Sequence, residues 1–422
     1  MWAIHVIQLL VFYGPYEANR HLNRLFFSEP YEANRYEPFI PSHVGGQHSN
    51  SAYEVLLKIL HVYKDFDPPV RGGMERHMAL MCRFQRQWCE VEALVCSRSL
   101  GTRLYEHDGV PIAAVGEWGR FQSAPVSPLF PLYLKQRRAD VVVVHCPNPT
   151  AELSWLITRP HGALVVRYQS DVVRQAAAMR LYRPFLVHFL RKAAMILPTS
   201  DQYVASSPVL NKFKDRCIVV PLGIIPEEYT PPPSEAMDAL HRRYGNPYVF
   251  FCGVHRYYKG LPWLIRAAAK INAPVVIAGD GPERSANMLL AETLGVKIAF
   301  PGALTHEELV AHLHGCAVFA FPSSERSEAF GLSLLEAHAC GKPAIATRLG
   351  TGVEFVNEDG TTGLNVPPKD ADALAAAVNR LLSDAALRDA MGANARERVR
   401  TLFNAELVAR REYELYKRLC SA

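Results

Sequence analysis

The sequence lacks the patterns that mark zinc-binding, nucleic-acid-binding and membrane-spanning proteins. Its nine cysteines form no Cys-x-x-Cys pair, which argues against a zinc ribbon and against a thiol redox motif. No run of lysine and arginine of the kind that binds nucleic acid is present. No apolar stretch reaches the roughly 18 residues that a membrane-spanning helix requires, and the short apolar start lacks the cationic lead of a signal peptide. Scattered cysteines in odd number favour a reducing compartment, so we expect a cytoplasmic protein.

The overall composition is that of a soluble globular protein. Hydrophobic residues make up 49% of the chain and charged residues 21%. The length of 422 residues predicts two or three domains. The formal net charge of +5 suits anionic ligands or an anionic membrane surface, and it does not require a nucleic acid as partner.

The first 53 residues differ from the rest of the chain. The string Tyr-Glu-Ala-Asn-Arg occurs at 16–20 and again at 31–35. Two copies are too few for a repeat protein, which requires about three or more. We interpret residues 1–53 as an N-terminal extension and assign it no chemistry.

From residue 54 onward, short apolar runs alternate with helical stretches, which predicts α/β domains with parallel sheets covered on both faces. A proline-rich passage at 226–233 divides the pattern into two groups and indicates a linker. The predicted strands of the first group are 57–62, 91–96, 140–145, 164–168, 194–198 and 217–221. Those of the second group are 248–252, 274–278, 297–300, 317–321 and 344–346.

One segment carries a chemical signal of its own. Residues 326–336 read Arg-Ser-Glu-Ala-Phe-Gly-Leu-Ser-Leu-Leu-Glu; they follow an apolar strand and run into a helix predicted at 332–340. Glu328 therefore lies on the turn, Gly331 opens the helix, and Glu336 lies about one turn beyond that opening. The free backbone N–H groups of a helix N-terminus bind anions. Two flanking acids suit hydroxyls, so the segment predicts an anion that also carries hydroxyls, such as a sugar nucleotide.

This string resembles the donor-site signature of retaining glycosyltransferases of family 4, the glycosyl transferases group 1. The resemblance extends over roughly residues 56–405 and implies the GT-B fold, two Rossmann-like domains facing a central cleft. It implies that Glu328 contacts hydroxyls of the donor sugar and that Glu336 binds the ribose. The backbone of Phe330, Gly331 and Leu332 would approach the sugar and the diphosphate.

The same resemblance implies the domain boundaries. Residues 54–225 would form the acceptor domain, 226–246 the linker and 247–400 the donor domain. The C-terminal helix, 401–422, would cross back to the first domain.

Two further segments carry the resemblance. Gly72 and Gly73, after the first strand, would let the backbone approach the donor phosphates. Lys259 and Arg256 match the cations that neutralise the departing diphosphate in the family, a role that lowers the barrier by preorganised charge. Val254 stands where relatives often carry an arginine, and Arg256 is its nearest substitute.

Gln169 is the main departure from the family, whose members commonly carry a histidine there that contacts the donor sugar. Glutamine donates and accepts hydrogen bonds but does not titrate, which excludes proton transfer by this side chain. Asp171 and Arg174, nearby, are candidates for acceptor binding or for capping a helix. The string His-Cys-Pro-Asn-Pro at 145–149 resembles another family element, and a rigid turn explains it equally well.

The resemblance implies an enzyme that moves a hexose, such as mannose, from a nucleotide-diphosphate sugar to a carbohydrate or lipid-linked acceptor in surface polysaccharide biosynthesis, the last part by analogy. We expect no cofactor and no metal, because no Asp-x-Asp pair stands at a strand end where a metal-dependent transferase would need it. Arginine, lysine and helix dipoles would meet the phosphate charge instead. The basic segment 180–192 suggests peripheral contact with a membrane, and a core-facing helix is its other explanation.

Two other functions stay open at this stage. A nucleotide-sugar epimerase on the same fold would require titratable acids and a histidine at the anomeric centre, and Gln169 argues against it. A non-catalytic nucleotide-sugar-binding subunit is disfavoured by Glu328, Lys259 and Glu336, but the departures at Gln169 and Val254 keep it in consideration.

Overall fold

The computed structural model describes residues 56–70, 72–121, 123–171 and 176–421, with the backbone alone described for 176–181. The extension predicted at 1–53 and the candidate Arg174 lie outside these residues. The described chain contains two parallel sheets, each covered by helices on both faces.

The first sheet has seven strands in the order β3-β4-β2-β1-β7-β8-β9, and a separate two-stranded hairpin, β5-β6, lies in the chain between β4 and β7. The strands are β1 Lys58–Val62, β2 Glu90–Cys96, β3 Arg103–His107, β4 Val110–Val115, β5 Gly119–Phe121, β6 Ala124–Val126, β7 Arg138–Cys146, β8 His161–Tyr168 and β9 Met195–Pro198. Neighbouring strands run parallel except for β3 and β4. The central strands are apolar throughout because both faces are covered, as the fully buried Val141 and Val143 on one face and Val142 and Val144 on the other illustrate.

The second sheet has six parallel strands in the order β12-β11-β10-β13-β14-β15. They are β10 Val249–Cys252, β11 Val275–Ala278, β12 Ile298–Gly302, β13 Val318–Phe321, β14 Ala344–Thr347 and β15 Gly363–Val366. Phe250 and Phe319 pack on one face of this sheet and Phe251 and Ile345 on the other. These two apolar layers hold the sheet between its helices.

Fourteen α-helices connect and cover the strands within the described residues. They are α1 Gly73–Gln85, α2 Phe130–Gln136, α3 Pro149–Thr158, α4 Ala176–Lys192, α5 Asp201–Ser206, α6 Ser234–Tyr244, α7 Leu261–Ala268, α8 Arg284–Thr293, α9 His306–Gly315, α10 Leu332–Ala339, α11 Gly352–Val356, α12 Ala371–Ser383, α13 Ala385–Leu402 and α14 Ala405–Ser421. Local sequence starts several of them: Thr305 and Glu308 form a reciprocal capping box at α9.

The last helix, α14, packs against α1 of the first domain. Its Val408, Ala409 and Tyr416 are buried in the same apolar cluster as Met78 of α1 and Ile59 of β1. The chain therefore returns to its first domain after completing the second.

The prediction of an α/β fold with two largely parallel sheets is confirmed, and several element predictions need correction. The predicted strand at 217–221 makes only an isolated bridge, between Cys217 and Ile196. The carbonyl groups of Val220 and Pro221 instead accept hydrogen bonds from the Arg167 side chain.

The predicted linker at 226–246 contains regular structure. It holds a 3-10 turn, Pro226–Tyr229, followed by α6, which packs against α9 of the second domain. Strands β3, β4, β5, β6 and β15 were not predicted. Strand β3 forms the antiparallel edge with largely exposed side chains, so it lacks the continuous apolar run that marks a buried strand, whereas β4 is apolar and buried and was not recognised.

Candidate active site

The segments that the sequence singles out follow the carboxyl ends of strands, the edge at which ligands bind in open parallel sheets. In the first sheet, residues 63–73 follow β1 and residues 169–171 follow β8. In the second sheet, residues 253–260 follow β10 and residues 322–331 follow β13. The topology therefore places four loops from two sheets where one ligand can touch them all.

Two contacts show that these edges face each other. The Arg326 guanidinium lies 3.6 Å from the Asp171 carboxylate, joining the loops after β13 and β8. A Cβ atom added to Gly73 would lie 2.8 Å from Cδ1 of Leu332. A side chain at position 73 would require Leu332 to move, so two of the predicted donor-binding segments lie close together.

Lys259 and Glu328, both predicted at the reacting end of the site, form an ion pair. The Nζ atom of Lys259 lies 2.6 Å from Oε2 of Glu328, and the two side chains are 12% and 10% exposed. The Ser323 hydroxyl donates a second hydrogen bond to the same carboxylate at 3.0 Å. The pair is thus held in place by β10 and β13, which are neighbours in the sheet.

The lysine of this pair carries a positive charge at neutral pH. Burial works to lower the pKa of Lys259, but the adjacent Glu328 carboxylate outweighs it, and the net shift is upward. The ammonium also lies 5.2 Å from the centre of the Phe321 ring, a cation–π distance. A buried, permanently charged cation at a ligand edge is suited to an anionic group.

Two helices begin at this edge; the start of α10 has free backbone N–H groups, while at α1 the Glu75 carboxylate accepts a hydrogen bond from its own backbone N–H. Helix α1 has Gly72 as its N-cap and α10 has Gly331, and no side chain caps either helix. Gly331 has a φ of +95°, a left-handed conformation that glycine adopts without strain. Phe330 before it is buried. Both helix starts can therefore donate to an anion.

Glu336 lies on α10 and is held from the side of the first domain. The Tyr229 hydroxyl donates to Oε1 of Glu336 at 2.9 Å, and Nη1 of Arg76 lies 3.4 Å from the same atom. Arg76 also pairs with Glu228 at 2.5 Å. Burial raises the pKa of Glu336, and the charge of Arg76 and the Tyr229 hydrogen bond oppose part of that rise.

The sequence analysis missed Arg76 and Tyr229. Arg76 stands in the first turn of the helix that opens at Gly72, so its distance from the glycine pair was an available signal. Tyr229 falls in the proline-rich passage interpreted as a linker, and nothing local ties it to Glu336, 107 residues away.

Gln169 is buried at the end of β8, with 2% of its surface exposed. Its backbone N–H donates to the carbonyl of Cys146, and its Nε2 atom lies 3.4 Å from Nδ1 of His145. Its Oε1 atom is buried and has no hydrogen-bond partner among the described residues. The string at 145–149 also forms a turn, because the side chain of Asn148 caps α3.

The Asp171 carboxylate is engaged by other protein groups. The hydroxyls of Tyr168 and Ser207 each donate to its Oδ1 atom at 2.8 Å, and Arg326 approaches its other oxygen. Arg174, its companion in the prediction, lies outside the described residues.

Arg256 and Val254 lie in the loop after β10. Both side chains are exposed, Val254 by 50%. The backbone N–H of Arg256 donates to the carbonyl of Val254, and Arg256 caps the 3-10 turn Tyr257–Lys259. Of the two cations predicted for a diphosphate, Lys259 is therefore built into the site and Arg256 stands at its margin.

Across the part of the chain that the structure describes, no group of three or more histidine, cysteine, aspartate or glutamate side chains is placed to hold a metal ion. A search of the same residues finds no helix with the length and apolar character needed to cross a membrane.

Two family models match the chain, one over each sheet. The model described as "Glycosyl transferase 4-like domain" matches residues 72–223, and that described as "Glycosyl transferases group 1" matches residues 234–398. The chain is 32% identical over 371 residues to O-antigen chain mannosyltransferase C of Escherichia coli, covering 86% of this chain and 99% of that protein. It is 34% identical over 357 residues to D-rhamnosyltransferase WbpZ of Pseudomonas aeruginosa, covering 83% and 93%.

Solved structures with a similar fold include sucrose-phosphate synthase from Thermosynechococcus elongatus, with a TM-score of 0.73 and 24% identity over 86% of this chain and 99% of that one. The Anabaena protein HepE in complex with UDP and glucose has a TM-score of 0.69 and 17% identity, over 86% and 99%. At these identities the likeness concerns the fold.

Proposed function

Because the chain belongs to the glycosyl transferases group 1 and is a glycosyltransferase with the GT-B fold, we propose that it moves a hexose from a nucleotide-diphosphate sugar with retention of anomeric configuration. The acceptor is a carbohydrate or a lipid-linked carbohydrate of a surface polysaccharide. The O-antigen mannosyltransferase and rhamnosyltransferase relatives support this acceptor class, and mannose is the leading candidate for the sugar. The single observation that carries the proposal is the buried Lys259–Glu328 pair at the cleft-facing edge.

In this proposal, groups of the second domain stabilise the negative charge of the leaving diphosphate. Lys259 and the N-terminus of α10 bind the diphosphate as its negative charge grows, which stabilises the transition state more than the ground state. Glu328, released in part from Lys259, accepts hydrogen bonds from sugar hydroxyls. Glu336 exchanges its contact with Tyr229 for the ribose hydroxyls.

Proton transfer has to proceed without Gln169, because an amide does not titrate. The departing phosphate oxygen is the base in our proposal and takes the proton from the acceptor hydroxyl as that hydroxyl attacks from the same face of the sugar. The O–H bond of the acceptor and the sugar–phosphate bond break, and the new glycosidic bond forms on the face that the phosphate leaves. Retention of configuration follows from this geometry.

The direct test is to incubate the pure protein with UDP-, GDP- and ADP-hexoses, each with and without carbohydrate acceptors, and to assign the anomer of the product by NMR. We expect nucleoside diphosphate release that depends on an acceptor, and a product with the donor's configuration. Epimerised donor formed without acceptor would identify an isomerase instead. In parallel, a thermal-shift panel identifies the base, since a ligand at 100 times its dissociation constant stabilises by about 2.7 kcal/mol.

A second candidate function, nucleotide-sugar binding without turnover, is favoured by one observation. Val254 stands exposed where relatives often carry an arginine, and Arg256 lies at the margin of the site. Binding of a donor in the thermal-shift panel without release of nucleoside diphosphate under any condition would identify this function.

Substitutions of the two acids, Glu328 and Glu336, are expected to change different kinetic constants. Glu328→Gln removes a charge that contacts the reacting sugar, so it should lower kcat. Glu336→Gln removes binding to a ribose that does not change during the reaction, so it should raise the donor KM. A charge-assisted hydrogen bond contributes roughly 1.5–3 kcal/mol, which corresponds to about a ten- to hundredfold effect in each case.

Steady-state kinetics of both variants on the best donor measure this split. Glu325→Gln is the matched control, because Glu325 lies in the same loop but forms a half-exposed pair with Lys369. Unchanged constants in both test variants would show that the two acids do not bind the donor.

Gln169→His restores the side chain that is common in the family, and we expect it to remain active or to gain activity. One imidazole nitrogen can donate to His145 while the other accepts from a ligand, as the Gln169 amide does. Gln169→Met has a similar size and can do neither, so kcat/KM should fall about tenfold, in line with a net hydrogen-bond contribution of roughly 0.5–1.5 kcal/mol. Kinetics of the two variants decide this, and a correctly folded but inactive Gln169→His protein would refute it.

We expect turnover without a metal ion. In the proposed site Lys259 and the uncapped helix N-termini supply the positive potential that a divalent ion would otherwise supply. Assays in EDTA should give the same kcat/KM as assays with added Mn²⁺ or Mg²⁺. Loss of activity in EDTA and its recovery on adding Mn²⁺ would contradict the prediction.

For peripheral contact with a membrane, we propose the exposed basic residues of α4. The apolar residues Leu186, Phe189 and Leu190 of this helix are buried in the core, while Arg183 and Arg191 are exposed. The contact would therefore be electrostatic, and binding to vesicles that contain anionic lipid should weaken as salt is added.

A further inference from the structure

A chain of buried polar side chains runs from the cleft to the last helix. Its members are Gln169, His145, His61, Gln85 and Glu412, and none has more than 2% of its surface exposed. Successive polar atoms lie within 2.8–3.4 Å of each other along the whole chain. It crosses β8, β7, β1 and α1 and ends on α14.

At the Glu412 end of this row of side chains, the donor and the acceptor of each hydrogen bond are fixed. Glu412 forms an ion pair with Arg167, whose Nε atom lies 3.0 Å from Oε1, and the Tyr416 hydroxyl donates to Oε2 at 3.0 Å. Burial raises the pKa of Glu412 and the charge of Arg167 opposes that rise; a carboxylate paired in this way with a guanidinium accepts hydrogen bonds and does not donate them. Gln85 must therefore turn its Nε2 atom toward Glu412, at 3.4 Å, and its Oε1 atom toward His61.

The same donor-to-acceptor direction continues through the imidazole rings of His61 and His145. His61 donates from Nε2 to Gln85 at 2.8 Å, which leaves its Nδ1 to accept from Nε2 of His145 at 3.0 Å. Nδ1 of His145 then accepts from Nε2 of Gln169 at 3.4 Å. Burial lowers the pKa of His61 to about 4 and the pKa of His145 well below its ordinary value, so each ring carries one hydrogen at neutral pH.

At the cleft end of the row, Gln169 is therefore left with a hydrogen-bond acceptor that has no donor. With its amide nitrogen committed to His145, Gln169 presents its Oε1 atom, which is buried and has no partner among the described residues. A buried acceptor without a donor is destabilising. Asp171, two residues on, faces Arg326 of the second domain, so this acceptor lies at the cleft.

We propose that Glu412 is a positioning residue for the cleft: it sets the direction of four hydrogen bonds so that Gln169 offers a carbonyl oxygen to one donating hydroxyl of the bound sugar. The identity of that ligand rests on the proposed function; the direction of the chain does not. The opposite direction would place the carbonyl of Gln85 against the carboxylate of Glu412.

The direction can be read from the histidine tautomers without any substrate. In the full-length protein labelled with ¹⁵N-histidine, we expect His61 and His145, assigned by single substitution, to carry their hydrogen on Nε2. A hydrogen on Nδ1 of either ring would overturn the proposal. Because no donor is present, this result stands apart from whether the protein transfers a hexose.

The consequence for the cleft is measured by kinetics. Gln85→Met interrupts the row of hydrogen bonds in its middle and leaves the Glu412–Arg167 pair intact. Glu412→Gln removes the carboxylate that sets the direction of those hydrogen bonds. We expect each to lower kcat/KM for the donor about three- to tenfold, the equivalent of one net hydrogen bond. Tyr416→Phe is the control, because it removes a bond to Glu412 without altering the chain and should lower thermal stability while keeping the donor KM.

A loss of kcat/KM in Tyr416→Phe equal to that in Gln85→Met would overturn the proposal, since packing of α14 alone would then explain the effect. Should Glu412→Gln fail to fold, Gln85→Met and the tautomers decide the matter. A protein that shows the expected tautomers but turns over no donor would retain the direction of the chain and refute the proposed function.

Discussion

Replacing Lys259 with alanine is expected to lower kcat by about a hundred- to thousandfold, the loss seen when one preorganised group that stabilises transition-state charge is removed. We expect this large loss because the Lys259 side chain is largely buried and paired with a carboxylate. Lys259 is 12% exposed, its Nζ atom is 2.6 Å from Glu328, and its pKa is raised despite burial because of that carboxylate. Arg256, the other predicted cation, is exposed and cannot replace it.

The measurement is single-turnover release of nucleoside diphosphate at saturating donor, which isolates the chemical step from binding. Lys259→Arg tests whether charge alone is sufficient, and we expect it to recover part of kcat. Lys270→Ala is the matched control, because Lys270 belongs to the same domain but forms an exposed pair with Asp372. If Lys259→Ala keeps kcat within about threefold of the unaltered protein while folding normally, the leaving-group assignment is wrong.

The second large effect concerns stability. Arg167→Met is expected to lower the free energy of unfolding by about 3–5 kcal/mol, the cost of leaving one member of a buried ion pair without its partner. Arg167 and Glu412 are both fully buried. Arg167 also donates to the carbonyls of Leu197, Val220 and Pro221, which methionine would leave unsatisfied.

Urea denaturation followed by circular dichroism measures this loss. Lys58→Met is the control, because Lys58 lies on β1 in an exposed pair with Glu90, and its loss should change stability by no more than about 1 kcal/mol. Since Glu412 lies on the last helix, Arg167→Met should also expose α14 to proteolysis under native conditions. If Arg167→Met lowers the free energy of unfolding by less than about 1 kcal/mol, the buried Arg167–Glu412 pair contributes little to the packing of α14 against the first domain.

The buried pair also links the stability of the fold to the site. Arg167 lies on β8 and Gln169 lies just after the end of that strand, with one residue between them. Glu412 contacts Arg167 directly and reaches Gln169 through Gln85 and the two histidines. The last helix therefore does more than cover apolar surface, because its carboxylate neutralises one buried group and orients another.

Much of the fold could be predicted because its signals are local. Continuous apolar runs between helices marked most strands of both sheets, with ends within a few residues of those in the structure. The edge strand β3 escaped prediction because its side chains are largely exposed, and the buried apolar strand β4 beside it was not recognised. A signal was nonetheless present: Asp108 and Gly109, both at positive φ, form the tight turn between them, and Asp-Gly is typical of such hairpins.

The sequence by itself determined the strand–turn–helix segment that we predict to bind the donor, since Glu328, Gly331 and Glu336 lie within one passage whose spacing is read along the chain. Only the tertiary structure decided what surrounds them. Arg76 reaches Glu336 across 260 positions, and Gln85 reaches Glu412 across 327. No periodicity connects such pairs, because a buried polar group needs a partner wherever the fold supplies one, and that partner is set by the packing of whole domains.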